Sequence, residues 1–84
     1  MNNVDTTYNG WINRETWNIA LWIGNNQYLY NSIVENKYST YSEFYNDLKD
    51  VLAYGNNKTP DGVSWTHPNL NLAELDNMIQ ELGE

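Results

Sequence analysis

Residues 10–24, GWINRETWNIALWIG, form the least polar stretch of the chain and contain three of its four tryptophans. The stretch carries the signals of a helix. Asn13 is a favourable N-cap residue, and Glu15 places a negative charge in the first turn, where the helix dipole is positive. Gly24 stands where a helix commonly ends. We therefore predict a helix over residues 14–23 that is apolar on most sides and buried.

The spacing of apolar residues predicts three further helices. The second spans about residues 27–36, and the third spans residues 41–54 with Gly55 closing it. The fourth follows a cap at Asn69 or Asn71. The side chains assigned to the inner faces are Leu29, Tyr30, Ile33 and Val34 in the second helix, Tyr41, Phe44, Tyr45, Leu48, Val51 and Leu52 in the third, and Leu72, Leu75, Met78, Ile79 and Leu82 in the fourth.

Two non-helical segments complete the predicted fold. Residues 1–9 are polar and lack periodicity, which is typical of a flexible N-terminal arm. Residues 56–68 include TPDG, a strong turn sequence, because Pro presets the first corner and Gly accepts a positive φ. Val63 and Trp65 follow this turn, and we expect the side chains of both to be buried in the core. All 84 residues are predicted to form one small all-α domain of about four helices with one ordered, extended loop.

Charge and composition exclude several classes of function. Eleven acidic residues against four basic residues give a net charge of −7, which argues against binding nucleic acid or an anionic membrane through a basic surface. The absence of Cys excludes a disulfide scaffold and a thiolate metal site. No apolar run reaches the roughly 18 residues that span a bilayer, and the N-terminus lacks the pattern of a signal peptide. We expect a soluble, intracellular protein.

The sequence offers little for catalysis. Asp61, Ser64 and His67 are the residue types of a hydrolase triad, but side chains this close together in one loop rarely reach the required geometry. There is no zinc-ligand spacing, no twelve-residue calcium loop and no glycine-rich phosphate loop. We therefore assign no catalytic residue, no metal ligand and no cofactor, and we predict that the protein is not an enzyme.

A row of carboxylates is the first candidate binding site. Glu43, Asp47 and Asp50 follow one face of the third helix, roughly 5 to 6 Å apart at the rise of an α-helix. Adjacent phosphates of a nucleic-acid strand are separated by about 6 to 7 Å. Such a row could occupy the basic groove of a nucleic-acid enzyme, with Glu74 and Glu81 adding charge from the fourth helix. The alternative is a solvated face that only keeps the protein soluble.

Several strings of this sequence resemble a family of small, largely uncharacterised proteins encoded by bacteriophages and other mobile elements. The resemblance covers residues 10–82. The strings that carry it are NRETWN at 13–18, LWI at 21–23, Leu29-Tyr30, TPDGVSW at 59–65 and LDNMI at 75–79. The resemblance implies an origin on a mobile element and a host cytoplasm as the place of action, and it implies no catalytic residue or cofactor.

The NRETWN motif gives a second candidate binding site. Arg14, Glu15 and Asn18 would form an exposed polar patch beside Trp22 that a partner recognises. The alternative is a structural role, in which the motif starts a helix and surrounds it with aromatic side chains.

Together these features favour a small phage-type accessory protein that binds a host protein. The leading hypothesis is inhibition of a nucleic-acid-directed defence enzyme, of the anti-restriction or anti-CRISPR type, through an acidic surface that mimics DNA. The alternative is a helical interaction module or homodimer without mimicry, which uses an exposed aromatic patch such as Tyr28, Tyr30 and Trp22.

Overall fold

The computed structural model of the chain describes residues 8–84, and four α-helices follow one another within them. The helices are α1 (Arg14–Asn25), α2 (Gln27–Asn36), α3 (Tyr41–Leu52) and α4 (Leu72–Leu82), and a short 3-10 turn, Ala53–Gly55, extends α3. Across these residues the only β pairing consists of two isolated bridges. The prediction of a small all-α fold is therefore confirmed.

The predicted N-terminal arm falls mostly outside the part of the chain that is described. Residues 1–7 lie outside it. Tyr8 and Asn9 belong to a tight turn in which the backbones of Tyr8 and Trp11 hydrogen-bond to each other. The Tyr8 ring also packs on Trp17, with 4.9 Å between ring centroids. The last two residues of the predicted arm are thus joined to α1.

Each helix begins at a side-chain cap. The Asn13 side chain accepts a hydrogen bond from the N–H of Thr16 at 2.8 Å, as the sequence predicts. Asn26, Thr40 and Asn71 cap the other three helices in the same way. Each cap removes one of the unsatisfied N–H groups that every helix start leaves.

The predicted ends of α1 and α3 are wrong. Asparagine residues stand where α1 and the 3-10 extension of α3 end. Gly24 lies inside α1 rather than beyond it, and Asn26 both ends α1 and caps α2. The left-handed residues after α3 are Asn56 and Asn57, with φ of 61° and 60°, and Gly55 is not among them. Asparagine visits the left-handed region more readily than other residues with a side chain, so it replaces glycine at this stop.

The core is built from one stripe of each helix. α1 packs on α2 and α4, and α4 also contacts α2 and α3. The completely buried apolar side chains are Ile19, Ile23, Ile33, Phe44, Leu75 and Ile79. Four residues assigned to inner faces are instead exposed by more than a third, namely Tyr30, Val34, Val51 and Leu72. They lie at the edges of their stripes, and Leu72 is the first residue of α4, where the helix has only begun to meet the core.

The loop between α3 and α4 is ordered, as predicted. Thr59 and Val63 are joined by a backbone hydrogen bond of 2.8 Å across the turn. Val63 and Trp65 are buried in the core, which confirms the sequence prediction for both. The buried hydroxyl of Tyr41 donates to the carbonyl of Trp65 at 2.6 Å and so ties the loop to α3. Within residues 8–84, no helix is long and apolar enough to cross a membrane.

Candidate functional site

A polar cluster that is buried at Asn18 and Thr59 joins α1 to the TPDG turn. Asn18 is completely buried, its Nδ2 donates to Asp61 Oδ2 at 2.8 Å, and its Oδ1 accepts from Thr59 Oγ1 at 2.6 Å. The indole Nε1 of Trp22 donates to the same Asp61 oxygen at 2.9 Å. A buried amide costs free energy unless it is hydrogen-bonded, so these bonds stabilise the position of the loop. We call Asn18, Trp22, Thr59 and Asp61 the α1 clamp.

The α1 clamp holds an ionised carboxylate. The hydrogen bonds from Asn18 and Trp22 lower the pKa of Asp61, and the nearby charge of Arg14 lowers it further. Asp61 itself is exposed, whereas Asn18 and Thr59 are buried. The clamp therefore has a solvated negative end and a buried neutral end.

The first turn of α1 holds the segment before α4. Thr16 Oγ1 accepts from the N–H of Asn71 at 3.0 Å, and Asn13 Nδ2 donates to the carbonyl of Asn69 at 2.7 Å. Glu74 Oε1 in turn accepts from the N–H of Ile12 at 3.0 Å. The NRETWN motif thus positions two parts of the loop between α3 and α4. Asn18 holds the TPDG turn, and Asn13 and Thr16 hold the segment before α4.

The sequence predicts that Arg14, Glu15 and Asn18 form an exposed patch beside Trp22, and the predicted exposure is wrong for Asn18. Asn18 is buried rather than exposed, because the TPDG turn covers it and takes both ends of its amide. Arg14 is exposed, and Glu15 and Trp22 are half-buried. The sequence reasoning also missed Thr59 and Asp61 as the partners of Asn18. No local spacing signals them, since they lie more than forty positions away in the chain.

The three carboxylates of α3 are exposed, and two of them are fixed by hydrogen bonds. Glu43 Oε1 accepts from the N–H of Ser39 at 2.8 Å, while the N–H of Glu43 bonds to the capping side chain of Thr40. Asp47 accepts from the hydroxyl of Tyr38. Partial burial of the hydroxyl, together with this bond to Asp47, raises the pKa of Tyr38 to about 12. Asp50 completes the row. We call Glu43, Asp47 and Asp50 the acidic face of α3.

The two carboxylates predicted on α4 form a separate set. Glu74 is half-buried and bonded to the backbone of Ile12, and Glu81 is exposed. Both line a hollow with Trp11 and Met78, and none of the α3 carboxylates borders it. The five acidic residues predicted as one surface therefore divide into two groups.

The residue types of a hydrolase triad are present in the loop but bond to different partners. Ser64 Oγ bonds to Thr66, and His67 Nδ1 accepts from the N–H of Asn69 at 3.0 Å. Asp61 belongs to the α1 clamp. Among residues 8–84, no group of three or more His, Cys, Asp or Glu side chains is arranged to hold a metal ion.

Two apolar clefts border α3, one near its beginning and one near its end. The first, which we call the aromatic cleft, has a volume of about 340 Å³ and lies between the start of α3 and the chain before α4. Its lining residues are Tyr41, Ser42, Tyr45, Asn46, Trp65, Thr66, His67, Pro68, Leu70 and Leu72. The second has a volume of about 460 Å³ and is bordered by Tyr28, Val51 and Pro60. Tyr54, which is 92% exposed, follows Val51 by three positions.

Comparison with known proteins identifies the family of the chain. No curated protein and no solved structure matches the chain. The model of a family of unknown function, DUF7249, matches residues 4–84. Because this match covers nearly the whole sequence, the chain belongs to the DUF7249 family.

Proposed function

We propose that this protein binds a partner macromolecule and inhibits a nucleic-acid-directed enzyme by placing the acidic face of α3 in that enzyme's basic groove. The observation that carries the proposal is the fixed position of this face. Hydrogen bonds from Ser39 and Tyr38 hold the first two carboxylates of a row of three on one rigid helix. Charges that are fixed before binding lose less conformational entropy when a partner is bound.

The net charge supports the same proposal. A charge of −7 on 84 residues produces a negative potential that attracts a basic surface and speeds the encounter with it. The same potential repels nucleic acid, so we expect no direct binding to DNA or RNA.

The resemblance to mobile-element proteins suggests the setting of this activity. A phage-type accessory protein acts in the host cytoplasm, and host nucleases of restriction or CRISPR type are enzymes with basic nucleic-acid grooves. We propose such a defence enzyme as the target.

The test removes charge from α3 without removing its hydrogen bonds. A triple variant with Glu43→Gln, Asp47→Asn and Asp50→Asn keeps an acceptor oxygen for Ser39 and for Tyr38. The control variant combines Glu35→Gln and Glu84→Gln, two exposed carboxylates that lie outside α3 and outside the predicted acidic residues, and removes two of the three charges.

Tagged wild-type protein and both variants are used to recover partners from a bacterial lysate, and any recovered nuclease is assayed for inhibition. We expect the α3 variant to lose recovery and inhibition while the control variant keeps both and circular dichroism stays unchanged. Inhibition by the α3 variant at the wild-type level would contradict the proposal.

A second candidate function is supported by exposed apolar residues. Of the predicted aromatic patch, Tyr28 and Tyr30 are exposed, whereas Trp22 is half-buried and bonded to Asp61. Tyr28 is 55% exposed, Val51 is 40% exposed and Tyr54 is almost fully exposed. Tyr28 and Val51 both border the second cleft. Exposed aromatic residues are enriched in protein interfaces, so an interaction module or homodimer without mimicry would use this surface.

Salt distinguishes the two candidates. Charge mimicry should weaken steeply between about 50 and 300 mM salt, since the Debye length is only about 10 Å at 0.1 M. An apolar interface should respond little. A partner recovered only at low salt supports mimicry, and a salt-resistant partner supports the aromatic interface.

A further inference from the structure

The aromatic cleft combines an apolar lining with uncharged polar groups. Trp65, Leu70 and Leu72 contribute apolar surface, and the side chain of Leu72 is 49% exposed at the mouth. Among residues 8–84, no Asp, Glu, Lys or Arg lines the cleft. Its volume of about 340 Å³ lies at the lower end of the range for ligand pockets, about 300 to 1,000 Å³. The cleft therefore suits one large apolar side chain of a partner.

An acidic hollow adjoins the aromatic cleft. Five residues line it, Asn36, Tyr38, Glu43, Asn46 and Asp47, and it is broad and open. Asn46 lines both the hollow and the cleft, so the two depressions meet at this exposed residue of α3. Two carboxylates that are already fixed by hydrogen bonds thus stand next to an apolar depression.

Charge selects the occupant. A second copy of this chain carries the same charge of −7 and has only four basic residues, so like-charge repulsion opposes it. Asp76 accepts from the N–H of Tyr41 at 2.7 Å and adds a third carboxylate near the cleft. Asp50, one helical turn beyond Asn46, adds a further exposed carboxylate on α3. The one positive charge on α3 is that of exposed Lys49. The surroundings complement a cationic partner.

We infer that the aromatic cleft and the acidic hollow form one docking site for a partner segment in which a large apolar side chain stands next to lysine or arginine. The apolar side chain covers Leu72 in the cleft, and the basic side chain reaches Glu43 and Asp47 across Asn46. The inference rests on the proposed function, because it uses two carboxylates of the acidic face of α3. It adds an apolar anchor that charge mimicry alone does not require.

Three labelled pentapeptides test the inference on the full chain. The first has a central tryptophan between pairs of lysines, the second replaces the tryptophan with alanine, and the third replaces the lysines with glutamates. Binding is measured by fluorescence anisotropy and by amide chemical shifts of the isotope-labelled protein. We expect only the first peptide to bind at concentrations up to about 1 mM. The protein amides whose chemical shifts change on binding should centre on Ser42, Asn46 and Thr66.

A matched pair of variants tests the position. Asn46→Arg places a bulky cation where cleft and hollow meet, and Asn77→Arg makes the same charge change at an exposed position of α4. We expect Asn46→Arg to weaken binding of the first peptide at least about tenfold and Asn77→Arg to leave it within about twofold. Equal loss in both variants, or no binding of the first peptide to the wild type, would overturn the inference.

The outcomes also separate this inference from the proposed function. Peptide binding that depends on Asn46, together with inhibition that survives in the α3 charge variant, retains the docking site and rejects enzyme mimicry. The absence of peptide binding, together with inhibition lost in the α3 charge variant, rejects the apolar anchor and retains mimicry.

Discussion

The indole Nε1 of Trp22 and the carboxylate of Asp61 are hydrogen-bonded at 2.9 Å although 39 positions separate them in the sequence. Asn18 donates to the same carboxylate oxygen from one turn earlier in α1. These bonds make the NRETWN and TPDG sequences two parts of one structural unit. The unit fixes the loop whose Trp65 lies beneath the aromatic cleft.

Replacement of Asn18 by Ala should destabilise the protein through the α1 clamp. The change leaves the buried hydroxyl of Thr59 without its acceptor and opens a small cavity. An unsatisfied buried donor costs about 1 to 3 kcal/mol, so we expect the free energy of unfolding to fall by that amount in urea titrations. Asn31→Ala, at an exposed position of α2, is the control and should cost less than about 1 kcal/mol. Equal losses would show that the buried amide contributes nothing specific.

The stabilising effect of Asp61 should disappear in acid. Its pKa in the folded protein is lowered, so ionised Asp61 stabilises the fold above its unfolded pKa of about 3.9, and this contribution is lost as the pH falls through the lower folded value. Wild type should therefore be more stable than Asp61→Asn at pH 7. The difference should shrink below about pH 4. Urea midpoints measured across this range check the prediction, and a constant difference would contradict it.

Two glycines should respond oppositely to alanine. Gly24 lies inside α1 and has open space where an alanine methyl group would point, so Gly24→Ala should stabilise the protein by about 0.5 to 1 kcal/mol. Gly62 also has open space, but its φ of 91° strains any L side chain. Gly62→Ala should cost about 1 to 2 kcal/mol. Thermal unfolding of the two variants provides the comparison, and destabilisation by Gly24→Ala would indicate that α1 ends before this residue.

The exposed tyrosines Tyr28 and Tyr54 should matter for association and not for folding. Replacing Tyr28 and Tyr54 together by Ser should change the free energy of unfolding by no more than about 0.5 kcal/mol per site, as is usual for surface positions. If this surface is an interface, the double variant should lose salt-resistant partner recovery or self-association in sedimentation measurements. If the double variant associates as the wild type does, the surface around Tyr28 and Tyr54 is not the interface.

Features that depend on a few neighbouring residues could be predicted from the sequence. The cap at Asn13 and the bounds of α2 are confirmed, because a cap and an apolar stripe are both local patterns. The sequence places the end of α1 at Gly24, but the helix continues to Asn25, because the residue that ends α1 and caps α2 is Asn26. Leu72 fits the inward stripe of α4 by spacing alone, yet it is half exposed where that helix begins.

The candidate sites were less accessible to sequence reasoning. The exposure of Asn18 could not be judged because the loop that covers it is distant in the chain. The acidic face of α3 could be read from spacing, but the bonds that fix Glu43 and Asp47 involve the connector before α3. The acidic hollow and the aromatic cleft meet at Asn46 only when α3 has packed against both the connector that precedes it and the chain before α4.

The position of the α1 clamp in the chain has a consequence for folding during synthesis. Thr16 and Asn18 are completely buried, and their partners lie between Thr59 and Asn71. The ribosome adds about 5 to 20 residues per second, so α1 emerges seconds before the groups that complete it. Until then its buried polar and aromatic side chains face water or a chaperone. α1 is therefore made before α2, α3 and α4, yet it is among the last of the four to reach its native surroundings.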